Sequence, residues 1–173
     1  LDKVGLGLLK DYWGGNTILL PESKELLSVN AGRVDAGFWQ VFTFRFLSGK
    51  PFDEAAVEAG RPVAVITEKV AKRIFASTDV AGKHFKYNGN DIQVAGVVAD
   101  VNFPLHYEGM YRPSPNDRGL MGSLQLYMTA TSADDVETLR AEVVDVLNRY
   151  NQENQEWEHF YLEQPDVWWK SQF

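Results

Sequence analysis

An α+β fold, with both ends of the chain sharing one β-α-β layer and the stretch between them inserted, is what this 173-residue sequence predicts. Three observations carry that expectation. Residues Leu26 to Asp35 alternate, with Leu27, Val29 and Ala31 set against Ser28, Asn30 and Gly32, the period-2 pattern of a half-buried strand. From residue 123 to 162 the chain reads as strand, amphipathic helix, strand, and a crossover helix of that kind returns the chain to a parallel strand of one sheet, which the early strand near Leu27 is expected to join. Between these ends, residues 37–122 carry strand, helix and hairpin signals of their own. The predicted organisation is therefore a discontinuous part, 1–36 plus 123–173, and an inserted part, 37–122, that includes a long loop at 102–122.

Taken in order, the first 36 residues are otherwise mixed, with turn signals at Gly14-Gly15-Asn16 and at Pro21. Gly37 ends the alternation. Phe38, Trp39 and Phe42 recur at i, i+1 and i+4, which puts three rings on one side of a short helical turn, and Phe44 and Phe46 then alternate with Thr43 and Arg45 as a strand. The breaker Gly49-Lys50-Pro51 follows, and the acidic pair Asp53/Glu54 sits where a helix start would favour it. Arg61 to Ile66 is β-branched and too short for a helix, so it reads as a buried strand ending at Thr67, an N-cap for the next helix. Val70, Ala71, Ile74 and Phe75 form that helix's apolar stripe, with Lys69, Lys72 and Arg73 on a solvated face. Asn88-Gly89 tolerates the two positive φ angles of a type I′ turn and pairs Lys83–Tyr87 with Ile92–Val98.

Residues 102–122 hold Pro104, Pro113 and Pro115 and no sustained period, which predicts a loop, while Phe103, Leu105, Tyr107, Met110 and Tyr111 require that it pack on something. Ser123 to Thr129 reads as a strand with Leu124, Leu126 and Met128 on one face. Ser132 with Asp135 forms a variant capping box, and Val136, Leu139, Val143, Val146/Leu147 and Tyr150 mark an amphipathic helix with Asp134, Asp135 and Glu137 at the positive end of its dipole. Trp157 to Leu162 is the closing strand.

Composition narrows function mainly by exclusion. A formal net charge of -7 opposes the electrostatic footprint of a nucleic-acid binder, so no nucleic-acid partner is expected. The chain has no cysteine, which removes thiolate catalysis, disulfides and Cys-based zinc sites. No apolar run approaches the roughly 18 to 20 residues that span a bilayer. A phosphate loop is absent, since Gly82-Lys83 lacks both the earlier glycine and the following Ser or Thr, and G-x-S-x-G is absent too. His84, His106 and His159 show no metal-ligand spacing. Neither catalytic residue, metal ligand nor cofactor is expected. An enzyme would need a site dispersed along the chain.

One ordered set of motifs does point to a family. Val34-Asp35-Ala36-Gly37-Phe38-Trp39, Gly49-Lys50-Pro51-Phe52, the strand and helix from Val63 to Phe75, Gly82-Lys83-His84-Phe85, and Val94-Ala95-Gly96-Val97-Val98-Ala99-Asp100 stand in order along the chain. Their order and spacing resemble the periplasmic core domain of MacB-like and FtsX-like ABC transporter permeases. There the counterparts read V-x-x-x-F-F, G-(R/K)-x-F, V-V-I-(S/T)-E-x-x-A-(R/K)-x-x-F, G-K-x-(I/F) and V-x-G-V-V-x-D. The resemblance runs from about Val29 to Phe173. Trp39 departs from it, standing where Phe or Tyr is usual, and residues 103–122 follow none of its patterns.

The resemblance implies a Porter-like layer formed by the two chain ends and an inserted Sabre-like part. It implies a non-catalytic domain on the periplasmic side of the bacterial inner membrane, between the first two membrane helices of a permease. Motion of those helices would be coupled to substrate export, lipoprotein release or a periplasmic protein partner. A cytosolic ATP-binding subunit would act through the membrane helices, with the whole permease dimeric and the detached domain monomeric. Tyr107, Met110, Tyr111 and Arg112 are residue types enriched at interfaces and mark a candidate partner surface, with a simple cover over the sheet as the alternative. Trp168 and Trp169 fall where the family re-enters the membrane, and amphipathic rings favour that boundary; packing of a last helix onto the sheet is the other reading. The competing function is a free-standing periplasmic ligand-binding module whose long loop forms a pocket.

Overall fold

The structure, a computed structural model, describes residues 3–8, 15–100, 109–114, 125–130 and 132–154. Its contacts separate two compact units, Lys3–Met128 and Thr129–Phe173 with Leu1–Asp2.

The first unit is a mixed sheet with three short helices. Its strands are β1 (Lys3–Leu8), β2 (Thr17–Leu19), β3 (Leu26–Ser28), β4 (Ala31–Val34), β5 (Phe46–Gly49), β6 (Val63–Thr67), β7 (His84–Tyr87), β8 (Asn90–Val98) and β9 (Met110–Pro113), joined at one edge by β10 (Gln125–Thr129). The helices are α1 (Phe38–Val41), α2 (Glu54–Glu58) and α3 (Glu68–Phe75). The order across the sheet is β10-β1-β4-β9-β6-β8-β7-β2-β3, with β5 added on β8. β4 and β9 are parallel, as are β6 and β8, and the other pairs with described registers are antiparallel.

Two residues of chain, Val29 and Asn30, separate β3 from β4. Three Cα steps reach at most about 11 Å. A flat sheet would set these two strands about 29 Å apart, six inter-strand spacings in the observed order. This part of the sheet therefore curls until its far edge returns to β4, and Gly109 N–H donates to Asn30 O at 2.8 Å beside the join.

Each face of the curled sheet has its own core. On one, Ile18, Ala31, Ala64, Ile66, Phe85, Ile92, Val94, Val97 and Met110 are buried with Val70, Ala71 and Ile74 of α3. On the other, Val34, Val65, Val98 and Tyr111 are buried with Phe38 of α1, Ala56 and Val57 of α2, and Phe52. Strict alternation would send Val94 and Val97 to opposite faces. A register shift resolves this: Ala64 pairs with Val94 but Val65 pairs with Gly96, so Ala95 is an extra residue and Val97 returns to the face of Val94.

Several expectations are corrected here. The strand read over Leu26–Asp35 is two strands, β3 at one end of the order and β4 third from the other, so the neighbour two places from β10 is β4 and not the Leu27 segment. The expected loop 102–122 contains β9, which is hydrogen-bonded between β4 and β6. Its short apolar run shows no period because Met110 serves one core and Tyr111 the other. In β10 the residue packed on the core is Tyr127, while Leu126 is exposed, the reverse of the predicted face. The Tyr127 ring meets Phe38 at 6.0 Å and Phe42 at 4.9 Å, so this side of the strand, and not that of Leu126, faces the aromatic cluster. Apart from these corrections, the β2–β7 and β4–β9 ladders run across the division expected at 36/37 and 122/123. The Asn88-Gly89 turn, by contrast, is as expected: φ is 48° and 81°, as a type I′ turn needs, and it closes on Tyr87↔Asn90.

In the second unit, α4 (Asp135–Glu153) carries the expected period: Val136, Leu139, Val143 and Leu147 are half-buried, Val146 and Tyr150 exposed. Among the described residues no backbone N–H donates to the Ser132 hydroxyl. It donates to the Asp135 carboxylate at 2.8 Å. The strand expected at Trp157–Leu162 lies outside the described residues.

Candidate functional site

The residues that make the motifs meet one another as scaffold. Gly49 and Gly96 are cross-strand partners. A Cβ on Gly49, whose φ is +65°, would lie 2.2 Å from Ala95 O, and one on Gly96 would lie 2.7 Å from Lys50 O and 2.8 Å from the Phe46 ring. The two glycines let β5 lie against β8 at the bulge. Phe52, buried, meets the Trp39 ring edge-on at 5.3 Å. Asp100, which ends the β8 motif, accepts from Lys69 N at 3.1 Å, while Thr67 Oγ1 accepts from Val70 N. Together they satisfy two orphan amides of α3 and place a carboxylate at its positive end. The α1 turn is started similarly, Asp35 accepting from Phe38 N at 2.8 Å.

A groove of about 270 Å³ opens at one end of the first core. Arg33 of β4, Arg61 before β6, and Arg112 of β9 line it with Tyr87, Asn90 and Ile92. Arg33 and Arg112 are direct cross-strand partners in the parallel β4–β9 pair. The Arg112 guanidinium lies over the Tyr87 ring, 4.8 Å from its centroid, and Tyr87, itself buried, donates its hydroxyl to Asn16 Oδ1. Arg61 is placed by the end of α2. Gly60, at φ +55°, donates to Val57 O and Arg61 N–H donates to Ala56 O, both at 3.0 Å, the paired bonds of a Schellman motif. That loop hands the chain straight to β6 with the Arg61 side chain at the groove.

Of the six residues singled out by sequence, Met110 and Tyr111 are buried, one in each core, and as folded offer no surface to a partner. Their apolar character reflects a central strand instead of an interface. Arg112 is half-buried on the groove wall. Tyr107, Trp168 and Trp169 lie outside the described residues. Arg33 and Arg61 drew no attention in the sequence, because nothing linear links a strand arginine to one that follows a helix-ending glycine. The Gly60-Arg61-Pro62 step was the one available signal.

Among the described residues, no group of three or more His, Cys, Asp or Glu stands close enough to hold a metal ion, and no helix is long and apolar enough to cross a membrane. His84 Nδ1 lies 2.8 Å from Asp91 Oδ2 on the exposed β7–β8 hairpin, and this hydrogen bond, helped by Lys86, holds the Asp91 carboxyl below its usual range.

Taken alone, this geometry defines an α+β domain organised by one large mixed sheet, with a basic groove and scaffolding motifs. Comparison with known proteins narrows the class: residues 12–146 match the MacB-like periplasmic core domain, and the chain belongs to that family. It is 26% identical over 120 residues to YknZ of Bacillus subtilis (strain 168), an uncharacterized ABC transporter permease, covering 66% of this chain and 30% of that protein. It is 28% identical over 130 residues to the macrolide export ATP-binding/permease protein MacB of Aggregatibacter actinomycetemcomitans, covering 72% of this chain and 20% of that protein. The chain thus spans less than a third of either relative.

The fold is shared with solved structures at low identity. The extracellular domain of the noncanonic ABC-type transporter YknZ from Gram-positive bacteria superposes with a TM-score of 0.67 at 20% identity, covering 88% of this chain and 77% of that one. For the periplasmic region of MacB from Actinobacillus actinomycetemcomitans the values are 0.61 and 16%, covering 90% and 76%. For a permease-protein domain from Porphyromonas gingivalis they are 0.65 and 16%, covering 95% and 79%.

Proposed function

We propose that this chain is the non-catalytic extracytoplasmic domain of an ABC transporter permease subunit, which passes motion of membrane helices to an exported substrate or to a periplasmic protein partner. The observation that carries the reading is the family match over residues 12–146, supported by a fold in common with the YknZ and MacB domains. The arrangement of the motifs is consistent with it: Gly49 and Gly96 let β5 pack closely on β8, and Thr67 and Asp100 cap α3, so the motif residues build the frame of the domain. In this reading a cytosolic ATP-binding subunit or domain drives the permease from across the membrane, the whole protein is a membrane-embedded dimer, and Trp168 and Trp169 stand near the lipid surface.

Location and coupling are tested separately in the full-length permease. The chain lacks cysteine, so Glu58→Cys on the exposed end of α2 gives this domain a single thiol. In intact cells with a permeabilised outer layer, a membrane-impermeant maleimide is expected to label it. Labelling only after lysis would overturn the location. For coupling, removal of residues 12–146 is expected to leave ATP hydrolysis measurable while abolishing export; a truncated permease that still exports would overturn the transmitting role.

A further inference from the structure

We propose that Asn88 is a self-modification site, whose carboxamide is kept intact while β2 stays docked on the β7–β8 hairpin and hydrolyses to a carboxylate when β2 lets go. Asn88-Gly89 is the one Asn-Gly step in the 173-residue chain. A glycine after an asparagine leaves its amide nitrogen unshielded. Here both residues are exposed, and nothing stands within 4 Å of the place a Gly89 Cβ would take. Once the Gly89 nitrogen has given its proton to base, it attacks Asn88 Cγ; the Cγ–Nδ2 bond breaks, and the leaving nitrogen takes up a proton and departs as ammonia. Water then opens the cyclic imide at either carbonyl. The sum is asparagine and water giving aspartate or isoaspartate and ammonia, with no change of oxidation state.

The folded turn blocks the attack in two ways. Ring closure needs Gly89 N and Asn88 Cβ to eclipse about the Asn88 Cα–C bond. With φ of 48° at Asn88 and 81° at Gly89 the turn is type I′, in which ψ of the first residue is about 30° and those two atoms lie on nearly opposite sides of the bond. The side chain is tied down as well. Thr17 N–H donates to Asn88 Oδ1 at 2.9 Å and the Thr17 hydroxyl donates to it at 3.3 Å, while Asn88 N–H donates to Thr17 O at 2.9 Å. All three bonds come from one residue of β2, which is three residues long, is anchored by buried Ile18, and pairs with β7 at Ile18↔Tyr87 and Leu19↔Lys86. A ladder that short can open locally without global unfolding. Aspartate formed here keeps an acceptor oxygen for Thr17 and adds one negative charge. Isoaspartate instead routes the main chain through the side-chain methylene, and a two-residue type I′ turn closing on Tyr87↔Asn90 cannot accommodate the added carbon. Opening of β2 is thereby recorded as a permanent covalent change.

The test incubates the 173-residue chain at mildly alkaline pH, with and without concentrated urea, and follows the amide-to-acid mass gain at Asn88 by tandem mass spectrometry of the peptide that begins after Lys86. Conversion in the unfolded chain should be about tenfold faster or more, because the closed clamp limits the population that can react. Thr17→Val removes the hydroxyl donor and keeps the branched side chain, and Ile18→Val trims the buried anchor of β2. Each should speed conversion in the folded chain about two- to tenfold and leave the rate in urea unchanged. Circular dichroism checks that both variants fold, and each is a small enough change that one serves if the other does not. An Asn88 that persists in urea would overturn the site. Equal rates with and without urea, or a folded-chain rate that neither substitution raises, would overturn the gating by β2.

Discussion

Replacing Phe38 by alanine is expected to destabilise the sheet unit more than any other single truncation in its second core. The ring is fully buried, and its centroid lies 5.3 Å from Trp39, 4.8 Å from Phe42, 5.9 Å from Phe44, 5.6 Å from Tyr111 and 6.0 Å from Tyr127. It therefore bridges α1, the approach to β5, the central β9 and the edge strand β10. Phe→Ala in a rigid core costs about 3–5 kcal/mol, and the upper half of that range applies because five partner rings, themselves packed together, cannot all collapse into the space. Phe38→Leu keeps most of the volume and should cost about 1–2 kcal/mol. Against a total stability of about 5–15 kcal/mol, the alanine variant loses a large share and the leucine variant does not. Urea unfolding monitored by near-ultraviolet circular dichroism and tryptophan emission reads both. A loss below about 2 kcal/mol for Phe38→Ala, with the aromatic dichroism retained, would refute the assignment of Phe38 as the organising contact.

Three further outcomes follow from single contacts. The Trp39 Nε1–H is buried without a hydrogen-bond partner among the described residues, so Trp39→Phe removes an unsatisfied donor costing about 1–3 kcal/mol while giving up ring volume; the two nearly cancel, and a urea midpoint shifted by much more than about 1 kcal/mol either way would contradict this. Asp100→Ala strips one acceptor from the first turn of α3 and should cost about 0.5–2 kcal/mol, with faster amide exchange at Lys69 as the local readout. The Asp91 carboxyl is held below its usual value, chiefly by the His84 hydrogen bond. A depressed folded-state value means a stabilising contribution present above the ordinary Asp range and lost as pH falls through the lowered one. Wild type should therefore melt slightly above Asp91→Asn at neutral pH, and the gap should close on acidification below about pH 4.

Local order was largely legible in the sequence, and pairing partners were not. The α3 helix, its Thr67 cap, the Asn88-Gly89 turn and the acidic start of α2 each rest on interactions within a few residues, which a linear pattern records. β9 rests on neighbours tens of residues away in β4 and β6. A central strand of four residues serving two cores has no polar side to alternate, so Met110-Tyr111 looked like an interface patch in a loop. The split of Leu26–Asp35 has a similar cause: the period-2 pattern runs through Val29 unbroken, but the curl of the sheet requires the chain to change partners there. The arginine groove was invisible for the most elementary reason. Its members stand 28 and 51 positions apart along the chain (61 − 33 and 112 − 61), and only the β4–β9 register and the end of α2 bring them together.

The division between motif and groove bears on what family membership says of this domain. Every motif residue traced here is explained by a backbone close approach, a helix cap or a ring in the core: Gly49 with Gly96, Thr67 with Asp100, Phe38 and Phe52 with Trp39. Such residues define a fold, so the match over 12–146 reports the shared frame. Arg33, Arg61 and Arg112 are not among those motif residues, and they line one groove. A scaffold can be common to transporters with different cargoes, while recognition is set by side chains that the scaffold leaves unconstrained. Chemistry particular to this chain is therefore to be sought outside the motifs.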